Sequence, residues 1–207
     1  MTLLTANTTN TANAEATTPR QRLATWLAIG LTVVALTGGL LLRTNIESGS
    51  ILLTDNRVGV ALRYPSNWLL ERGESGGELI MRAEDPAALP FKTTLSLSVL
   101  TTGPDASVND VTDLLTIRRA GQLPSYTTLD VTPTTLSGRP ATRLDYAYAT
   151  TETNPALRTL PVIVLGTDII VTLRGQTYVV TYLTEARSAE RNQRYFDLFV
   201  RRLELRS

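Results

Sequence analysis

Residues 23–42 contain no charged side chain, and Arg22 and Arg43 stand directly on either side of them. At a rise of about 1.5 Å per residue, a helix of this length spans about 30 Å, which is the thickness of a bilayer's hydrocarbon core. A cleaved signal peptide has a shorter apolar region, of about 7 to 15 residues, followed by a small-residue cleavage site. The run therefore predicts an uncleaved, single-pass membrane anchor.

A buried core helix is the remaining alternative for 23–42. Such a helix would carry a polar face, but besides Trp26 the only polar side chains are those of three threonines, Thr25, Thr32 and Thr37. Threonine hydroxyls can bond to carbonyl groups of their own helix, so they are compatible with lipid. The chain has no cysteine, so a lipid-attached cysteine after the apolar run is excluded as well.

The charges around this segment predict its orientation. Arg20 and Arg22 precede it, whereas Arg43 alone follows directly and is succeeded by the acidic Glu47 and Asp55. Positive residues are retained on the cytoplasmic side of a membrane. We therefore expect a cell-membrane protein with a cytoplasmic N-terminus and a C-terminal domain outside the cytoplasm.

Small residues recur along 23–42 at spacings of four, four, three and four, which places them on one side of a helix. A seam of small residues lets a second helix approach closely in lipid, although small residues are also common in spanning helices by chance. The predicted transmembrane interface comprises Ala24, Ala28, Thr32, Ala35 and Gly39.

The remaining chain divides into three predicted segments. Residues 1–22 are rich in Thr, Ala and Asn, have little to bury, and are predicted to be a disordered tail. Residues 43–50 form a linker, and 51–207 form one globular domain of ordinary size.

Composition excludes several classes of function. The net charge is only +1, so the chain lacks the positive field that nucleic-acid binding needs. It has neither histidine nor cysteine, the usual ligands of zinc, haem and iron–sulfur clusters. We therefore expect no cofactor, no metal site and no nucleic-acid partner.

Two apparent motifs do not predict a catalytic site or a metal site. Residues 73–77 fit G-x-S-x-G, but that motif needs a histidine base, and the only lysine, Lys92, lies in no S-x-x-K pattern. Five carboxylates could supply oxygen ligands to Ca²⁺, yet their spacing is not that of an EF-hand loop. They are Glu84, Asp85, Asp105, Asp110 and Asp113. The chain is therefore predicted not to be an enzyme.

Short alternating runs separated by turn residues predict an antiparallel sheet with two helices. Ser107 is a candidate N-cap for the first helix, with Asp110 favourably placed at its start. The second helix is expected at about 188–201, and buries Phe196 and Phe199. The expected strands cover 58–64, 68–71, 78–82, 93–100, 126–132, 141–149, 162–173 and 177–183.

Arginines line the second helix. A solvated face with a Glu190–Arg194 pair is the simplest interpretation, and contact with anionic headgroups or an acidic partner near the membrane is the alternative. The candidate contact residues are Arg187, Arg191, Arg194, Arg201 and Arg202.

Four stretches give the domain a resemblance to a known family. The strand and turn at 58–68 end in Tyr-Pro-Ser-Asn-Trp, and further landmarks follow at 138–146, 175–182 and 195–199. In this order they resemble domains related to the PsbP protein of the oxygen-evolving complex and to Mog1. The resemblance covers about 51–205 and implies an α/β/α sandwich around an antiparallel sheet, used as a non-catalytic accessory to larger assemblies. PsbP proteins are soluble and imported by a transit peptide, so only the fold and this kind of role carry over.

These observations predict an α+β protein in which a transmembrane helix precedes a PsbP/Mog1-like sandwich. The function they favour is a membrane-anchored accessory subunit or assembly factor of an integral membrane protein complex, a photosynthetic or a respiratory complex being the examples. The alternative is a free-standing surface module that binds a small ligand or a metal ion.

Overall fold

The structure is a computed structural model that describes residues 26, 28–34, 49–103, 106–151 and 160–205. The chain divides into two units, residues 1–46 and 47–207. Among the described residues, no helix is both long enough and apolar enough to cross a membrane.

In the first unit, residues 28–34 are helical. The hydroxyl of Thr32 donates to the carbonyl oxygen of Ala28 at 2.9 Å, as expected of a threonine in an apolar helix. The predicted tail 1–22, the linker up to residue 48 and the rest of 23–42 lie outside the described residues. The transmembrane anchor therefore stays a prediction.

The described part of the second unit contains ten strands, two α-helices and one 3-10 turn. In chain order they are β1 (Ser50–Asp55), β2 (Val60–Pro65), β3 (Leu69–Arg72), β4 (Leu79–Glu84), β5 (Thr94–Thr101), α1 (Val108–Gln122), β6 (Thr127–Leu136), β7 (Arg139–Thr150), β8 (Val162–Leu173), β9 (Gln176–Glu185), the 3-10 turn Ala186–Ser188, α2 (Ala189–Arg201) and β10 (Glu204–Leu205).

Seven strands form one antiparallel sheet in the order β3-β4-β5-β9-β8-β7-β6. A smaller antiparallel sheet has the order β1-β2-β10 and joins the two ends of the unit. This small sheet was not predicted, because β10 has only two residues and its pairing partner lies far away in sequence.

The two faces of the large sheet carry separate cores because successive strand residues point to opposite sides. On one face, Leu144 and Ile170 pack with Leu115 of α1. On the other, Val180 packs with Phe199 of α2 and with Leu62 of the small sheet. The predicted mixed fold with a central antiparallel sheet between helices is confirmed.

Local sequence signals place α1 correctly. Ser107 is its N-cap: the Ser107 hydroxyl accepts from the Asp110 N–H at 3.2 Å, and the Asp110 carboxylate accepts from the Ser107 N–H at 3.0 Å. This reciprocal capping box satisfies two backbone donors that a helix start leaves free. The strand predicted at 162–173 is β8 without change, and α2 begins one residue after the predicted start.

Candidate functional site

Helix α2 leaves part of its side of the large sheet uncovered in the described part of the chain. Along β7 the residues facing α1, such as Leu144 and Tyr146, are fully buried, while Arg143 and Asp145 on the opposite face are only half-buried. On β8 the same face leaves Ile163 52% exposed. We call this surface the open sheet face; it comprises Arg143, Asp145, Ala147, Ala149, Ile163 and Leu165.

A cleft of about 340 Å³ lies between the open sheet face and the first turns of α2. Its lining is mixed, with charged groups on β6 and β7, hydroxyl groups on β8 and β9, and an amide on the helix. We call it the polar cleft; its polar lining residues are Asp130, Arg143, Asp145, Thr167, Tyr182 and Gln193.

Asp145 is held at the polar cleft by two donors. The Arg143 Nε donates to one carboxylate oxygen at 2.7 Å, and the Thr167 hydroxyl donates to the other. Asp130 lies directly across from Asp145 in the register of β6 and β7. Two carboxylates in cross-strand positions repel each other, so the Arg143 guanidinium offsets a repulsion that the register creates.

Tyr182, which lines the same cleft, carries an unusual buried hydroxyl group. Its ring stacks on Phe196 with centroids 5.0 Å apart, and only 3% of the residue is exposed. Burial raises the pKa of the Tyr182 hydroxyl to about 12. Among the described residues this hydroxyl has no hydrogen-bond partner, although buried polar groups are nearly always paired.

A second cleft, of about 380 Å³, adjoins the first along β8. Ile163 lines the second cleft and Leu165 lines the polar cleft, and the two side chains share one face of the strand. We call this second cleft the apolar cleft, because most of its lining is apolar. It is lined by Ile163 together with Pro90, Leu160, Pro161, Val162 and Ala186, and by the charged residues Glu185 and Arg187. The two clefts together form a groove over the open sheet face.

The five predicted arginines are all exposed, but the structure does not gather them into one site. Arg187 lies at the apolar cleft, whereas Arg202 lies at the opposite end of α2, where its Nη1 donates to the Ser50 hydroxyl at 3.1 Å. The thirteen residues of α2 separate these ends by about 20 Å. Arg191 donates to Ser188.

The predicted Glu190–Arg194 pair is wrong. The Arg194 guanidinium instead lies 4.9 Å from the centre of the Tyr195 ring and donates to its hydroxyl at 3.1 Å. A flat guanidinium stacks well on an aromatic ring, and an exposed helix pair is worth only about 0.3–0.5 kcal/mol. Of the described residues, no carboxylate forms a salt bridge with any of the five arginines.

The predicted transmembrane interface falls largely outside the described residues. Ala28 and Thr32 are described, lie one turn apart in the helical segment and are exposed. Ala24, Ala35 and Gly39 belong to the part of the chain that the structure does not describe.

The apparent motifs have structural roles. Ser75 lies in the β3–β4 hairpin and accepts a hydrogen bond from Arg57 at 3.0 Å, so it is not on the strand-to-helix turn of a hydrolase. Asp110 is engaged in the capping box of α1. The described residues contain no cluster of three potential metal ligands, and Asp105 lies outside them.

The open sheet face was missed in the sequence, although a signal for it exists. In 141–149 polar or small residues alternate with Leu144, Tyr146 and Tyr148, a pattern typical of a strand with one accessible face. Which face α2 leaves open depends on where the helix packs, and the sequence does not encode that locally.

The comparisons with known proteins support the fold. No family model matches the chain, and no curated protein matches its sequence. The structure of cyanobacterial PsbP (CyanoP) from Synechocystis sp. PCC 6803 is 15% identical, and the match covers 76% of this chain and 93% of that chain with a TM-score of 0.56. LpqN of Mycobacterium tuberculosis, described as involved in cell envelope biogenesis, is 16% identical over 77% of this chain and 91% of that one, with a TM-score of 0.51.

The fold is PsbP/Mog1-like. The Ran-binding protein Mog1p of Saccharomyces cerevisiae also matches, at 6% identity over 76% of this chain and 95% of that one, with a TM-score of 0.49. The matches to cyanobacterial PsbP and LpqN confirm the fold implied by the resemblance in the sequence. At these identities the likeness concerns the fold alone.

Proposed function

We propose that this PsbP-like chain is a non-catalytic accessory subunit or assembly factor of a larger membrane protein complex, which it binds through the groove over the open sheet face. The observation that carries the proposal is that the described residues cover the large sheet beside α2 only in part. A sheet face that is apolar at Ile163 and Leu165 and charged at Arg143 and Asp145 has the mixed character of non-obligate protein interfaces.

The chemistry of the groove supports binding rather than catalysis. Two of its charged side chains, Arg143 and Asp145, already pair with each other. The chain contains no histidine or cysteine that could serve as a base or nucleophile. A shared fold does not fix a function, so the PsbP-like architecture adds only an analogy with accessory proteins.

The location is a further part of the proposal. Residues 23–42 hold the chain in the cell membrane, with the N-terminus in the cytoplasm and the PsbP-like unit outside it. The apolar length of 23–42 and the excess of arginines before it support this arrangement.

The transmembrane segment would add a second contact with the complex. Ala24, Ala28, Thr32, Ala35 and Gly39 allow a partner helix to approach closely. Replacing Ala28 and Ala35 together by leucine should loosen the complex, because each leucine fills the space that the partner helix needs.

A surface module that binds a small ligand is the second candidate. One observation favours it: the polar cleft encloses about 340 Å³ beside the unpaired hydroxyl of Tyr182. The two candidates differ in the state of the native protein, which is a member of a large complex in the first case and a monomer in the second.

Extraction of membranes with a mild detergent, followed by size separation and identification of co-migrating proteins, tests the proposal. Ile163→Glu, which places a charge on the open sheet face, should release the chain from the complex. Ile117→Glu is the matched control, because Ile117 is 72% exposed on α1, on the other side of the sheet. Migration of the unaltered chain as a monomer would reject the accessory role.

A further inference from the structure

The described part of the second unit begins at the small sheet, next to the C-terminal end of α2. The Ser66 N–H donates to the Gly49 carbonyl oxygen at 2.9 Å, which fixes the first described residues against the end of β2. Ser50, the first residue of β1, accepts from Arg202 at the end of α2. The chain therefore enters the unit beside the exposed Arg202 at the end of α2.

Exposed apolar and basic side chains meet on the outer face of this small sheet. Leu52 of β1 pairs with Arg63 of β2 across the strands, and 55% of Leu52 is exposed. Ser50 is two residues from Leu52 and shares its face, so the Arg202 guanidinium that contacts Ser50 also lies near this face. We call the surface the basic patch; it comprises Leu52, Arg63 and Arg202.

The cations of the basic patch are not neutralised by ion pairs within the described residues. The guanidinium groups of Arg63 and Arg202 have no carboxylate within salt-bridge distance there. The acidic residue on the same face, Glu204, pairs in register with Ala61 rather than with Arg63. Two arginines and one glutamate leave this surface with a positive charge.

A bilayer surface containing anionic lipids matches this chemistry. Leu52, which is 55% exposed on this face, can enter the boundary between headgroups and acyl chains. Guanidinium groups bind phosphates in a bidentate manner, and basic residues near a surface of anionic lipids are attracted to it.

The length of the connecting chain is compatible with this contact. Seven residues, 43–49, separate the predicted membrane segment from Ser50. A fully extended chain of seven residues reaches at most about 25 Å. The small sheet is therefore tethered close to the membrane if 23–42 crosses it.

We propose that the basic patch is a membrane-docking surface that lies on anionic phospholipid headgroups and so orients the PsbP-like unit on the bilayer. This inference rests on the membrane anchor in the proposed function, and it adds a specific face and lipid class. With the small sheet against the bilayer, the basic patch is occupied by lipid and is not a contact for the partner protein.

The absence of cysteine allows a direct test with the full chain. Leu52→Cys and Ile117→Cys are each labelled with an environment-sensitive fluorophore, and the chain is reconstituted into vesicles of phosphatidylcholine alone or mixed with phosphatidylglycerol. A lipid-borne quencher at headgroup depth should reduce the emission of the Leu52→Cys label several-fold more in the anionic vesicles. The Ile117→Cys label, on α1, should not respond to lipid charge.

Charge reversal and flotation complete the test. Arg63→Glu with Arg202→Glu should abolish the extra quenching at position 52, and the unaltered chain should lose it at high salt. The proposal would be overturned by equal quenching at both labelled positions, or by quenching at position 52 that is the same in neutral and anionic vesicles. Flotation with phosphatidylcholine vesicles reports the anchor separately: a chain that floats without quenching at position 52 keeps its anchor but has no docking surface.

Discussion

Arg119 of α1 forms a bidentate ion pair with Asp168 of β8, at 2.7 Å from Nε and 2.8 Å from Nη2 to the two carboxylate oxygens. Asp168 is fully buried, and the Thr181 hydroxyl donates to it at 2.6 Å. Complete burial raises the pKa of the Asp168 carboxyl, and the Arg119 guanidinium opposes this rise. The pair fixes the last turn of α1 on the middle of the large sheet.

Removing one partner of this pair should destabilise the fold strongly. Arg119→Ala leaves the Asp168 carboxylate buried without its cation, and we expect a loss of about 3–5 kcal/mol in the free energy of unfolding. The double variant Arg119→Met with Asp168→Leu leaves no buried charge and should lose less than the sum of the single variants. Urea denaturation of the unaltered chain, Arg119→Met, Asp168→Leu and the double variant gives the coupling energy. Strict additivity would contradict the pairing.

The features of this fold that could be predicted from the sequence are those that depend on residues close together in the chain. The Ser107 N-cap and the strand at 162–173 needed no distant partner, and both were predicted, although the return bond from the Ser107 N–H to the Asp110 carboxylate was not. Arg119 and Asp168 are 49 residues apart, and nothing near either residue marks the other. The small sheet and the open sheet face likewise depend on which distant segments pack together, so they emerged only with the structure.

The capping box predicts that the fold becomes less stable as the pH falls into the acidic range. Hydrogen bonds from the Ser107 hydroxyl and N–H hold the pKa of the Asp110 carboxyl below its usual value. An acid with a lowered folded pKa stabilises the fold above its unfolded pKa and loses that contribution as pH falls through the folded pKa. Asp110→Asn should therefore reduce stability at neutral pH but not at about pH 2.

Thermal unfolding of the unaltered chain and Asp110→Asn across this pH range measures the effect. Ser107→Ala removes the N-cap itself and should cost about 1 kcal/mol at neutral pH. Asp113→Asn is a suitable control, since Asp113 lies in the same helix but outside the capping box. A difference between Asp110→Asn and the unaltered chain that persists unchanged in acid would exclude the carboxylate as its source.

Gly166 is required because the Tyr146 ring lies directly over it. A Cβ atom at position 166 would come within 2.2 Å of that ring. Both residues are fully buried, so Gly166→Ala should overpack the α1 side of the sheet and cost at least about 1–3 kcal/mol. Gly121→Ala is the matched control, because nothing lies within 4 Å of its Cβ and alanine favours a helix by up to about 1 kcal/mol. Chemical denaturation should thus show opposite signs for the two substitutions.

The buried hydroxyl of Tyr182 predicts a loss of stability in alkali. Its folded pKa of about 12 lies above the usual value of 10.0 for tyrosine, so the unfolded chain gives up this proton first. The contribution is complete below pH 10 and disappears as pH rises toward 12. Tyr182→Phe should make the stability curve less steep in this range without removing the slope entirely, because burial also raises the pKa of Tyr146 well above normal.

At neutral pH, Tyr182→Phe distinguishes a Tyr182 hydroxyl that only fills space in the core from one that binds a ligand. If the hydroxyl only occupies the core, Tyr182→Phe removes an unpaired buried polar group and leaves the free energy of unfolding unchanged or higher. Urea denaturation in the absence and presence of membrane extract distinguishes this from ligand binding in the polar cleft. A ligand held by the hydroxyl would stabilise the unaltered chain by mass action and would fail to stabilise Tyr182→Phe to the same degree. Because the Phe196 stack is retained in phenylalanine, a difference seen only with extract would come from the hydroxyl and would favour the ligand-binding module over the accessory subunit.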